Sequence, residues 1–451
     1  MRTCTLLTLI VFLASLGMAG CEQESGTDDG GMTDDAGTGG DDGSTGGDEG
    51  GPADGGGDEA SSPAIPLLEG GFILTDRSEL QVNEAGDVAL GLGTTLGAVV
   101  VSYDAEREQG SSFVASEGLE GMPSSSWAAL DEDGGILAVW VQQLPPGTPL
   151  LHFRSYDPDS ETWTDAAQCT AQGDITERSP KLAGSANGRA VLVYETGGLD
   201  VKALHFDPGG GWSEPLVLDS DPLDWCETPL LGGTRDGWAL AVWKQSQHAE
   251  SAARSPGEAW VQAGWVEPDE NGSPMLLAVG AAGDAMLIID KGAEEYSFYR
   301  PAQGSFALVS AEPTLDADAQ DPVLAVGPDG DCLLAFHKND PHEIWARRFE
   351  PGGDWTAPER LDSGQNASNP AVAFDSSGGA AVVWSETPLE RLAFQLKMRR
   401  LTSQGVFEPE QTIETGSTGI VPHVIFVGFD GQDRIIVVYY QMQAGVFMVH
   451  P

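Results

Sequence analysis

The chain repeats itself. The stretch "PVLAVGPDGDCLLAFHK" from Pro322 and the stretch "PAVAFDSSGGAAVVW" from Pro370 carry one pattern with nearly every letter changed, and six more copies precede or follow them. The copies align on a turn glycine, at Gly86, Gly134, Gly188, Gly237, Gly283, Gly330, Gly378 and Gly431, at intervals of 46 to 54 residues. Five of these glycines follow Asp133, Asn187, Asp236, Asp329 or Asp430. Such dipeptides suit a tight hairpin turn that needs positive φ. Six residues beyond each glycine stands an apolar side chain: Leu92, Trp140, Tyr194, Trp243, Ile289, Phe336, Trp384 and Val437.

A proline opens most copies, at Pro123, Pro180, Pro229, Pro274, Pro322, Pro370 and Pro422. Proline is tolerated at the first residue of a strand and keeps the residue before it extended. Downstream come a third strand such as "IWARRFEP" and a fourth such as "WTAPERLD". Each unit is therefore four short strands, a sheet too small to bury both its faces alone. Packed side by side around an axis, the units bury one another. The expectation is an all-β chain forming a single β-propeller of eight four-stranded blades over residues 64–451, with seven blades as the alternative if the poorly matched first unit folds otherwise. The runs "AVLVY", "ALAVW" and "AAVVW" agree, since a middle strand covered on both sides reads as continuously apolar. The last copy ends at "GVFMVHP" with no fourth strand, so Gly71 to Asp76 is expected to supply it and close the ring.

At the third-to-fourth turn the copies read "YDPDSETW", "FDPGGGW" and "FEPGGDW", keeping Asp157, Asp207, Gly209 to Gly211, Trp163, Trp212 and Trp355. These turns resemble degenerate Asp-box hairpins of sialidase-like propellers, where they are structural. A sialidase also needs a three-arginine carboxylate grip, a tyrosine nucleophile with a glutamate partner, and an aspartic acid-base. The regular arginines here, Arg154, Arg347, Arg348, Arg399 and Arg400, recur in register on third strands. A catalytic residue must break a repeat, so these read as packing residues, and no catalytic position is carried over.

The first residues, "MRTCTLLTLIVFLASLGMAGC", hold one arginine near the start, an apolar run from Leu6 to Met18, then small residues and Cys21. Residues 1–20 read as an export signal, the apolar run being short for a membrane span. The site resembles the lipobox of bacterial lipoproteins, with Met18 where that family usually has leucine. The resemblance implies an acylated Cys21 and a lipid anchor at the bacterial outer membrane or cell surface. Residues 22–63 hold 14 glycines, 13 acidic residues and no aromatic, lysine or arginine. Such a segment cannot build a core. From Cys21 to residue 63 the chain reads as a disordered acidic tether, with an end-to-end distance of roughly 35 Å and a contour of about 140 Å.

The formal charge of −48 makes nucleic acid an unsuitable partner, since each phosphate would meet uncompensated carboxylates. No paired-cysteine, His-Glu-x-x-His, nucleophile-elbow or phosphate-loop motif appears. Cys332 sits in an apolar second strand and reads as a buried thiol. Cys169 and Cys226 lie in or near consecutive connectors, where export makes a disulfide feasible. In a propeller the second-to-third-strand loops and the connectors between blades share one face, and functional residues are expected there. Three of those loops look enlarged, at Gln142 to Leu150, Lys244 to Glu258 and Ser385 to Leu392. One acidic connector places Asp219, Asp221 and Asp224 beside Trp225, a set suited to stacking a sugar ring. Another carries Asp316, Asp318 and Asp321, carboxylates that could hold calcium although their spacing matches no known calcium loop; no other cofactor is expected. Two function classes follow: a non-catalytic module binding a polysaccharide or protein, and a carbohydrate-active hydrolase or lyase with its carboxylates among these loops.

Overall fold

The computed structural model describes residues 64–451 except 71, 73, 78, 145–147, 171–179, 198–199, 220–224, 268–271, 293, 311–313, 340, 365, 388–392 and 417–421. The expected signal, Cys21 and the tether lie outside the described residues. All regular structure among them is β, arranged as eight antiparallel sheets that form an eight-bladed propeller. In blade 1 the innermost strand is split into Leu74–Arg77 and Gln81–Val82, and in blades 2 and 3 the outermost strand is split in the same way.

The second strands of blades 1 to 8 are Val88–Thr94, Ile136–Leu144, Ala190–Glu195, Ala239–Gln245, Ala285–Asp290, Cys332–Asn339, Ala380–Glu386 and Ile435–Gln441. Both their faces are covered, because the hydrophobic core is divided into eight clusters, one at each blade-to-blade interface. In blade 6, Cys332, Leu334 and Phe336 pack toward blade 5 while Leu333 and Ala335 pack toward blade 7. The strand is thus apolar at every position from Cys332 to Phe336 for a physical reason. The large side chains Trp140, Tyr194, Trp243, Phe336 and Trp384 are fully buried here, each contributing about 3 kcal/mol by leaving water.

Two sequence expectations need correction. The ring is closed by Ile65–Glu69, which pairs antiparallel with Gly445–Val449 through Ile65↔Met448 and Glu69↔Gly445. Leu74–Arg77 instead pairs with Val88–Thr94 as the inner strand of blade 1. Leu67 decides this, since it alternates into the core beside Val446 and Met448, and the Tyr440 hydroxyl donates to the Phe72 carbonyl at 2.6 Å just after the strand. In blade 8 the residue equivalent to the turn glycine is Asp433 (φ 58°), not Gly431, because Asp433 N–H closes on the Asp430 carbonyl as Gly134 N–H closes on Asp131. The in-register aromatic is therefore Tyr439 rather than Val437.

The other seven turn glycines do have positive φ, between 74° and 94°. Each turn also closes on the carbonyl three residues upstream, and where that residue carries a polar side chain, as in all blades but 5 and 6, the side chain caps the turn as well, a signal that sequence reading passed over. Asp375 Oδ1 accepts the N–H groups of Ser377 and Gly379 at 2.9 and 2.7 Å, and Asp430 Oδ1 accepts those of Gln432 and Arg434, both at 2.9 Å. Turns then bond to turns across blades. Ser376 N–H donates to Asp433, Gly431 N–H to the Glu84 carbonyl, Glu84 N–H to Glu132, Glu132 N–H to the Ala186 carbonyl, and Ala186 N–H to the Arg235 carbonyl. This belt runs continuously from blade 7 through blade 1 to blade 4.

The Asp-box-like turns are structural, as expected. Asp157 caps its turn through Asp159 N–H and Ser160, bonds that hold its carboxyl below the usual range. Their aromatics staple each blade to the one before: Trp163 stacks on Phe113 at 4.5 Å, and Trp355 Nε1 donates to Ser297 Oγ at 2.7 Å. The recurrent arginines also serve packing. Arg154 donates to the Glu117 carbonyl, Arg347 to the Thr356 and Thr314 carbonyls, Arg348 to Asp331 and Arg399 to the Glu408 carbonyl.

Candidate functional site

Strand direction puts the turns just described on one face, the turn face, and the connectors and second-to-third loops on the other. A channel of about 670 Å³ runs down the axis, lined by the inner strand of every blade. Its wall is apolar at Leu230, Leu276, Val323, Ala371 and Phe426, and charged at Glu79 and Lys181, which flank Trp127. Glu79 is reached by solvent yet ringed by protein, so desolvation pushes its carboxyl up while Lys181 pulls it back.

Toward the loop-rich face the first strands of blades 2, 4, 5, 6, 7 and 8 share an irregularity. Their register shifts at or beside the proline that opens each repeat. Proline cannot donate to the ladder, so a bulge is where a strand can hold it. The bulges turn Asp321 and Asn369 into positive φ, 47° and 54°, and these residues with His423 form a polar mouth to the channel.

At blade 6 this mouth continues into a line of side chains that sequence reading did not connect. Asp321 Oδ2 lies 4.0 Å from His337 Nδ1, and His337 Nε2 lies 3.2 Å from His342 Nδ1. His337 is only 5% exposed, whereas His342 is open to solvent. Desolvation and the neighbouring His342 push His337 below the usual imidazole range, with Asp321 and Asp362 opposing. The available signal was a histidine at each end of one short second-to-third hairpin.

Asp316 and Asp318 are spent differently. Lys338 Nζ sits 2.5 Å from Asp316 Oδ2 and 3.3 Å from Asp318 Oδ1. Burial opposes the lysine's charge, but the two carboxylates outweigh it and hold its pKa above the usual range. With Asp321 turned to the channel, the three aspartates do not converge as a calcium ligand set. No group of three or more His, Cys, Asp or Glu among the described residues is arranged to hold a metal ion.

On the other acidic connector, Asp221 and Asp224 lie outside the described residues. Asp219 is structural, its Oδ1 accepting Val201 N–H at 3.1 Å. Trp225 is 52% exposed, and its carbonyl accepts Ser246 N–H at 2.7 Å, which ties it to the tip of the next hairpin. That hairpin is tight, with strands Ala239–Gln245 and His248–Arg254, so the enlarged loop expected from Lys244 to Glu258 is not there. The tight turn brings His248 to the blade end, where Trp265 of the outer strand stacks on it at 4.3 Å while remaining 55% exposed. Trp225, His248 and Trp265 thus line the loop-rich end of blade 4, with the tryptophan backbones three strand spacings, roughly 14 Å, apart. Trp265 was missed because its strand carries a bulge at Gly264 (φ 87°) that masks the repeat.

The disulfide does not form. Cys169, Cys226 and Cys332 are free thiols, and Cys169 packs between blades 2 and 3 while Cys226 packs between blades 3 and 4. Burial pushes the Cys169 thiol up to about 12 and Cys332 well above its ordinary value.

No family model and no curated protein sequence matches the chain. Solved structures do. A polysaccharide lyase described as an ulvan lyase, solved bound to a GlcA(1-4)Rha3S saccharide, is 10% identical with a TM-score of 0.50, covering 86% of this chain and 96% of its own. The BP39L lectin of Burkholderia pseudomallei is 11% identical with a TM-score of 0.46, covering 71% of this chain and 96% of the lectin. The intramolecular trans-sialidase of Ruminococcus gnavus is 10% identical with a TM-score of 0.39, covering 72% of this chain and 94% of its own. At these identities the likeness concerns the propeller fold.

Proposed function

We propose that the chain is an exported, lipid-anchored propeller that binds a polysaccharide on its loop-rich face without transforming it. The observation that carries the reading is the pair of half-exposed indoles, Trp225 and Trp265, at the loop-rich end of blade 4. Exposed tryptophan costs free energy unless something covers it, and a flat indole matches the apolar face of a sugar ring. The fold shared with the polysaccharide lyase is a scaffold used on glycans. Overall acidity favours a neutral glycan over a polyanionic one. Acylated Cys21 would hold the anchor at the bacterial outer membrane or cell surface, with residues 22–63 as the tether.

A glycan array read with the intact propeller tests the ligand. Trp225→Ala with Trp265→Ala should weaken any glycan signal at least tenfold. Capture of a protein but no glycan would replace the ligand class. Cys21→Ser should move the protein from the membrane fraction to the soluble one. A second reading, catalysis, is favoured by the pair His337–His342, in which a buried imidazole hydrogen-bonds an exposed one that could serve as a general base, with the Asp321 carboxylate 4.0 Å beyond and not hydrogen-bonded. Product release that disappears in His342→Ala would establish it and sink the non-catalytic reading.

A further inference from the structure

Opposite the first residue of each second strand, at the turn-face end of the third strand, the repeat places one side chain. In blades 1, 2, 3, 6 and 7 it is Tyr103, Tyr156, Phe206, Phe349 and Leu401, all packed in interblade cores. In blades 4 and 5 it is Arg254 and Arg300. Arg300 is taken up by packing: Nη1 donates to the Ala302 carbonyl at 3.2 Å and the guanidinium lies over Trp238 at 5.0 Å, although its buried Nε has no partner. Arg254 uses only Nε, which donates to the Glu258 carbonyl at 2.9 Å. An arginine that interrupts an apolar position and keeps spare donors is not explained by packing.

Arg254 opens into a cavity of about 180 Å³ between blades 3 and 4, and Arg189 lines the same space. Arg189 is bonded only through Nε, to Asp207 Oδ2 at 3.1 Å. His205, on the same wall, has a buried Nδ1 with no hydrogen-bond partner. Desolvation, with the Arg189 charge nearby, pushes Arg254 below its ordinary range. The two carboxylates on the cavity wall are engaged: Asp207 holds Arg189 and Gly209 N–H, and Asp236 takes the Thr234 hydroxyl and Trp238 N–H. The matching crevice between blades 1 and 2 has the opposite character. It presents seven carboxylates and one arginine, Arg107, which is paired with both Asp104 and Glu161.

We propose that the crevice between blades 3 and 4 binds a carboxylate ligand, with Arg254 and Arg189 each offering the planar Nη donors that suit a carboxylate edge. Its volume equals that of about six waters and falls below the range of a drug-sized pocket, so it takes one carboxylate-bearing group rather than an oligosaccharide. It lies on the turn face, so its fate is independent of the glycan reading.

Calorimetric titration of the full-length protein at low ionic strength with D-glucuronate, acetate and sulfate tests this. Saturable carboxylate binding is expected, weakened at least tenfold by Arg254→Phe and by Arg189→Gln. Arg254→Phe installs the residue that blades 3 and 6 use there, so the fold should persist. Glucuronate bound more tightly than acetate identifies a sugar acid, and equal affinities identify a bare carboxylate. No saturable binding of either carboxylate, tighter binding of sulfate than of both, or unchanged affinity in Arg254→Phe overturns the proposal. Should that variant melt early, Arg254→Lys decides: it keeps the charge and loses the fork, so undiminished affinity also overturns it.

Discussion

The two faces of the propeller are built by different rules. On the turn face the chain reverses tightly, a side chain upstream caps the turn in all blades but 5 and 6, and neighbouring turns bond to one another through six consecutive blades. On the loop-rich face the same blades end in connectors of unequal length, prolines sit in bulges, and Trp225, Trp265 and His342 stand exposed. Repetition marks what every blade must do to pack. Departure from repetition marks where a ligand has something particular to meet, and Arg254 shows that the turn face departs as well.

The contrast can be broken at its strongest point by removing the strand on which the ring depends. Deleting residues 64–70 leaves Gly445–Val449 as an unpaired edge and exposes the core around Leu67, so the melting temperature should fall by roughly 10 °C. An unchanged melt would show that closure contributes nothing. Next in size, Asp375→Ala removes the acceptor for two backbone donors on the turn face, at a cost of about 2 kcal/mol in denaturant unfolding. Trp225→Ala with Trp265→Ala, on the other face, should alter stability by less than about 0.5 kcal/mol while weakening the proposed glycan binding at least tenfold. If the stability costs came out reversed, the division between the faces would fail.

The smallest effect concerns Glu386, at the loop end of blade 7. It is 7% exposed, and its Oε2 has no hydrogen-bond partner. Desolvation raises its pKa, Lys397 pulls it down, and Glu410 and Asp362 raise it again. A carboxyl with a raised folded-state pKa adds stability at low pH, and that contribution is lost as pH rises from the unfolded value through the folded one. Glu386→Gln should flatten that slope in unfolding experiments run from acid to neutral pH. A variant as pH-sensitive as the parent would place the proton elsewhere.

Eight blades were legible because each repeat needs an aliphatic or aromatic residue at one depth of a strand buried on both sides, and a tight reversal before it. Where a position does that work through backbone geometry alone, the letters mislead. Gly431 sits in the turn of blade 8 and looks like the others, but Asp433 takes the left-handed conformation and Tyr439 the buried slot. The closing strand was misplaced by a few residues because "IPLLE" and "GFILTD" are equally apolar, and only the choice of which side chain meets Met448 separates them. The candidate sites were harder still. Trp225 was recognisable beside its acidic connector, while the pairing of His337 with His342, the stacking of His248 on Trp265 and the cancelling of Asp316 by Lys338 depend on hairpin lengths that composition does not reveal.

Closure by Ile65–Glu69 also gives the molecule a direction. An outermost strand begins at the turn face, as the pairing of Ile65 with Met448 and Glu69 with Gly445 requires, so the polypeptide enters the ring from that rim. That rim also carries the arginine crevice between blades 3 and 4, whereas Trp225, Trp265 and the channel mouth lie at the opposite rim.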